Sequence, residues 1–179
     1  MEEKVNPWKA NLTNGLILGL AGIVFTLILW FLDLSLNQNL SYIFLFISAF
    51  LVYYFIKSYR DNYLHGRMTY GQSVGAGVII FFYYGIIMAI FVYILYKFID
   101  PALTDKMLAM AEEKMRATGR VPEEQMETVM NMQKKFMSPE VMAPATILMT
   151  MLSGTIISLI ISIFTRKEGN PLLDTTETK

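Results

Sequence analysis

Apolar residues along this chain fall into four long runs, and the polar residues collect between them. The first run, LTNGLILGLAGIVFTLILWFL, covers residues 12–32, and the second, LSYIFLFISAFLVYYFI, covers 40–56. The third, SVGAGVIIFFYYGIIMAIFVYILY, covers 73–96, and the fourth, VMAPATILMTMLSGTIISLIISIF, covers 141–164. None of the four contains Asp, Glu, Lys, Arg or His. A helix of about 20 residues, rising 1.5 Å per residue, crosses a hydrocarbon core of roughly 30 Å. The pattern therefore predicts an all-α integral membrane protein, one domain over 1–179, with four transmembrane helices. A cleaved signal peptide would carry an apolar core of only about 7–15 residues, so the first run is expected to stay as an anchor. Trp8 and Trp30 bracket it about 33 Å apart on a helix, near the spacing of the two interfacial aromatic belts.

The stretch between the third and fourth runs has a different period. Asp100 and Pro101 read as an N-cap and first-turn proline, opening a helix that Gly119 ends in the left-handed conformation. Leu103, Met107, Met110, Ala111 and Met115 share one face of it, opposite Asp105, Glu112 and Arg116. A second helix starts near Pro122, with Met126, Val129, Met130, Phe136 and Met137 on one face. Glu123, Glu124 and Glu127 crowd its start and Lys134 and Lys135 its end, as the helix dipole favours. An amphipathic helical hairpin is thus expected over about 100–137. Ser138, Pro139 and Glu140 then read as the capped start of the fourth span, with Pro144 bending or loosening that entry.

The simplest use of the two methionine-rich faces is to pack on each other. They also suit a lipid surface, or a partner protein gripped through flexible thioethers. Met107, Met110, Met115, Met126, Val129, Met130, Phe136 and Met137 are the candidate partner-binding residues. Met130-x-Met132 and Met107-x-x-Met110 have a spacing that soft Cu(I) could use. No His or Cys assists them, so no metal or other cofactor is expected.

Inside lipid, small residues that let backbones approach are the packing signal. Gly15 and Gly19 supply it in the first helix, with Gly22 beyond, and Gly71 and Gly75 in the third, with Gly77. Gly154, Ser158 and Ser162 supply it in the fourth, and their hydroxyls are expected to bond the carbonyl one turn back.

Charge sets the orientation. Lys4 and Lys9 precede the first helix, Lys57, Arg60 and Arg67 come after the second, and Arg166, Lys167 and Lys179 come after the fourth. The link after the first helix has no Lys or Arg. The positive-inside rule then places both termini in the cytoplasm and the hairpin outside it. Over the whole chain 54% of residues are apolar and 17% charged, and Lys plus Arg balances Asp plus Glu at 15 each, which gives no basic excess for a nucleic-acid partner. Cysteine is absent, so disulfides and thiolate chemistry are excluded.

A transporter would normally show an intramembrane ionisable residue or paired broken helices, and neither is present. Asp33 falls at the outer end of the first helix, where a solvated cap is expected. The pieces an enzyme would need, Arg60, Asp61, His65 and Arg67, all fall in one loop, YRDNYLHGRMTYGQ. That loop suits anionic headgroups or a partner protein, but as topology determinants its cations need no ligand. Tyr53, Tyr54, Tyr59, Tyr63 and Tyr70 read as an interfacial belt.

The short first hairpin, the YRDNY…MTYGQSVGAG entry to helix three, and YKFIDP with a Met-rich insert and then KKFMSP together resemble one family. It is the domain of unknown function 4199 family, small membrane proteins met mostly in Bacteroidota. The resemblance implies a four-helix protein of the bacterial cytoplasmic (inner) membrane and supplies no catalytic residue or cofactor. Members are often encoded beside membrane glycosyltransferases, which implies an accessory role near envelope-glycan or polyisoprenoid chemistry. The expected function is a non-enzymatic accessory or scaffold subunit with a glycosyltransferase-like membrane partner or a second copy of itself. The rival is a small transporter, scramblase or channel component acting as an oligomer.

Overall fold

The computed structural model describes residues 5–119 and 121–168, so Lys4 and Lys179, counted for orientation, lie outside the described residues. Among those residues the chain is all helical, without strands. Helices α1 (Pro7–Phe31), α2 (Gln38–Tyr63) and α3 (Tyr70–Ile94) come first, and α3 runs on into a π-turn at Leu95–Ile99. Next come α4 (Ala102–Thr118), α5 (Glu123–Phe136) and α6 (Pro139–Thr165). The four apolar helices are all long and apolar enough to cross a membrane, which makes this a multi-pass membrane protein.

The helices outrun the apolar runs at their ends. Hydropathy marks the lipid-embedded stretch, whereas the helix stops where its capping groups are. At α1 the Asn6 side chain accepts from Trp8 N (3.0 Å), ahead of Pro7 at the first helical position. The largest correction is at α2, expected to end at 56 and helical to Tyr63. Lys57 to Tyr63 are polar or aromatic and include no Gly or Pro to stop the helix, and Tyr59, expected in an interfacial belt, is buried at 5% exposure.

The chain divides into two compact units, residues 1–84 with 150–179, and residues 85–149. In the first, Leu18 of α1, Val52 and Ile56 of α2, Ala76 and Ile80 of α3 and Ile161 of α6 join one core. Large side chains outside it, Phe31, Phe46, Phe50 and Phe164 among them, are exposed at 71–80%. Water would make that surface untenable, and lipid makes it ordinary. Half of the apolar window of α3 (50%) is buried, against 22–28% for the other three spans.

In the second unit, Pro101 brings α3 to its end. Asp100, directly ahead of that proline, is pushed out of the helical region to φ −142°, ψ 78°, and its amide closes a wide turn onto the Leu95 carbonyl (2.8 Å). Helices α4 and α5 pack on each other, linked by Gly119 at φ 59°. The Ser138 hydroxyl, expected to cap α6, instead donates back to the Lys135 carbonyl (2.9 Å) at the end of α5. Helix α6 continues unbroken through Pro144.

Candidate functional site

Close backbone approach in the first unit centres on three glycines. A Cβ at Gly15 would run into the Tyr83 side chain and lie 3.0 Å from the Ile80 carbonyl oxygen. At Gly154 it would run into Phe81, and at Gly77 into Ser158. Gly19 is buried in α1, and Ser158 and Ser162 are fully buried in α6. Ser158 donates to the Gly154 carbonyl (2.6 Å), whereas the Ser162 hydroxyl has no partner among the described residues. Gly71 and Gly75, expected to pack, do not: a Cβ at either would meet nothing within 4 Å. Helix α3 makes its close approach beyond them, at Gly77.

One end of this unit is tied by polar groups around Thr165. Its hydroxyl lies 2.6 Å from the Ser73 hydroxyl in a buried contact, and its carbonyl accepts from Arg60 Nη1 (3.0 Å). Beyond it, Met68 and Lys167 exchange backbone hydrogen bonds of 2.9 Å each. That bridge seats the 64–69 loop against the segment after α6. The loop itself turns through two left-handed residues, His65 (φ 50°) and Gly66 (φ 76°). Helix α3 then opens on a reciprocal cap: Thr69 N donates to Gln72 Oε1 (2.9 Å), and Gln72 N to Thr69 Oγ1 (3.3 Å).

A cavity of about 910 Å³ lies beside this loop. Among the described residues Arg67, His65, Lys167 and Glu168 line its polar part. Its other wall is a single stripe of α3, Gln72, Gly75, Ala76 and Ile79, at the i, i+3, i+4, i+7 spacing of one helix face. The size falls within the range of small-molecule sites, about 300–1,000 Å³. Sequence reasoning named the loop's cations but missed the cavity; the Thr69-x-x-Gln72 capping signal, which fixes where the loop ends, was readable.

In the second unit the eight candidate hairpin residues do not form one exposed face. Met126 is buried at 5%, alongside Leu103 (3%) and Leu108 (9%), the last of which the helical wheel had not singled out. Met107, Met115, Val129, Met130 and Met137 are half-buried, while Met110 and Phe136 are exposed at 38% and 66%. Met132, two residues from Met130 on α5, is 55% exposed and points to a different side, so this pair cannot close on one ion. Among the described residues no group of three or more His, Cys, Asp or Glu could hold a metal. At the hairpin's base, Lys97 in the π-turn donates to Tyr93 Oη (2.7 Å) and to Glu140 Oε1 (2.6 Å), joining the end of α3 to the start of α6.

The family model described as Protein of unknown function (DUF4199) matches residues 13–167. The chain belongs to this family. No curated protein and no solved structure matches it. The DUF4199 match takes in both the 64–69 loop and the whole hairpin, and ends on Lys167, the residue paired with Met68.

Proposed function

We propose that this DUF4199 protein is an accessory subunit of the bacterial inner membrane, with both termini cytoplasmic and the α4–α5 hairpin held outside for a membrane-protein partner. One observation carries the reading. Helices α4 and α5 pack on each other and Leu103, Leu108 and Met126 are buried, yet Met110, Met132 and Phe136 stay exposed. Side chains not needed for closure are the ones available for recognition, and unbranched thioethers adapt to an apolar partner surface. The Lys97–Glu140 contact fixes the hairpin's base, so the surface would be presented in a defined geometry. A glycosyltransferase of the same membrane is the first partner to test, on the gene-neighbour association the family resemblance implies.

Co-purification in mild detergent from native membranes tests this. Met110→Ser, Met132→Ser and Phe136→Ser together should release the partner while membrane insertion stays intact. Met126→Ser is the wrong probe, because it opens the hairpin's interior. A partner retained at wild-type level by the triple variant would overturn the proposal.

A further inference from the structure

We propose that the cavity beside the 64–69 loop holds the acyl-ester end of a bilayer glycerolipid, its ester carbonyl accepting hydrogen bonds from Tyr59 and Gln72 and its acyl chain starting along α3. The rim carries both signs of charge, Lys167 and Glu168 among them, and Asp61 lies within electrostatic reach of Lys167, so the headgroup's charge has no part in the inference. It does not depend on the hairpin reading either.

Three observations converge. First, two neutral donors on the cavity wall are unused. Tyr59 is 5% exposed, its ring tilted against Tyr63 at 5.8 Å, and its hydroxyl has no hydrogen-bond partner among the described residues. Unlike the sealed Ser162 hydroxyl, that oxygen keeps access to open space, and the space Tyr59 lines is the cavity. A buried phenol normally finds a partner. Gln72 caps α3 through Oε1 alone, which accepts from Thr69 N (2.9 Å), so both hydrogens of its Nε2 stay available. A phenol O–H and an amide N–H together suit an acceptor with no proton of its own, such as an ester carbonyl.

Second, both donors sit where a bilayer keeps its ester groups. Gln72 directly precedes the third apolar run, 73–96, and Tyr59 comes three residues after the end of the second, 40–56. The glycerol esters lie at that boundary, between hydrocarbon and headgroups. From Gln72 the cavity wall continues through Ala76 and Ile79, roughly 10 Å along a membrane-spanning helix at 1.5 Å per residue. An acyl chain needs that apolar continuation, and a small water-soluble acceptor does not.

Third, Gly75 opens this space. A Cβ there would meet nothing within 4 Å, although the residue lines the cavity and its neighbour Ala76 is buried. In a helix built to pack, that position would hold a side chain. Here its absence makes room on the stripe where the acyl chain would lie.

The test is native mass spectrometry of the full chain in neutral detergent, with dioleoylphosphatidylcholine and its diether analogue, which lacks only the ester carbonyls, as probes. The wild type should retain the diester about tenfold over the diether, the scale of a net hydrogen bond or two. Tyr59→Phe with Gln72→Glu should erase that preference. Phe deletes only the hydroxyl, and Glu keeps the capping oxygen while removing the amide hydrogens. Gly75→Leu should reduce retention of both lipids; Leu is a better helix former than Gly and has open space to fill. Circular dichroism checks that each variant is folded, and if one is not, the other decides together with the wild type. Equal retention of diester and diether by the wild type would overturn the proposal, as would a preference surviving in the folded Tyr59→Phe, Gln72→Glu variant. Unchanged retention in a folded Gly75→Leu variant would do so too.

Discussion

The two units of this chain are both made of packed helices, and they pack by different means. Where α1, α3 and α6 meet, Gly15, Gly77 and Gly154 let a neighbouring side chain lie directly on the backbone, and Ser73 and Thr165 bond across helices. In the hairpin neither α4 nor α5 contains a glycine; Leu103, Leu108 and Met126 are buried, and most of the charged side chains are exposed. With the hairpin in water, as proposed, the solvent explains the contrast. Lipid tails are as apolar as leucine, so burying leucine there gains little and close contact must do the joining. A helix pair with one polar side can bury an apolar stripe against water and gains the hydrophobic effect.

Five substitutions sharpen or break that contrast. Leu103→Ala should remove about 2–4 kcal/mol from the hairpin, read as faster amide hydrogen exchange throughout α4 and α5. Exchange unchanged there would mean that the hairpin is not held by its interior. Gly154→Leu should destabilise the first unit by about 1–3 kcal/mol through collision with Phe81. The matched Gly71→Leu, with open space before it, should leave reversible unfolding in mixed micelles unaltered; equal losses in both would restore the simple reading of every glycine as a packing site. Gly119→Ala places a Cβ at φ 59° and should loosen the turn between α4 and α5 by about 1 kcal/mol, seen as faster exchange at the end of α4. Gln72→Leu removes half of the reciprocal cap on α3 and should speed exchange only at its first turn, by an amount near 0.5–1 kcal/mol.

Much of the fold was legible because a lipid span and an amphipathic helix each leave a periodic mark. The four spans, the hairpin and the left-handed Gly119 come from run length, wheel position and turn chemistry. Helix ends were less legible: α2 continues through Lys57, Arg60 and Asp61, which leave lipid without leaving the helix. Glycine spacing proved ambiguous. Gly71 and Gly75 have the same interval as Gly15 and Gly19, yet only the structure separates a glycine that meets a neighbour from one that faces open space. The cavity was illegible for a related reason, since its lining comes from three separated stretches of the chain, 5–7, 59–79 and 167–168, and an empty volume has no sequence pattern. The hairpin's interior was partly misread because Met and Leu look equivalent on a wheel, and Leu108 sits inside while Met110 does not.

The most direct measurement of which side the hairpin occupies uses the absence of cysteine, which makes any single introduced thiol a clean reporter. His65→Cys in the basic loop and Met132→Cys on the hairpin would be treated with a membrane-impermeant maleimide in intact spheroplasts and after permeabilisation. Met132→Cys should label from outside, and His65→Cys only once the membrane is opened. Labelling of both from the same side, or the reverse pattern, would contradict a hairpin presented outside the cytoplasm and the accessory role built on it.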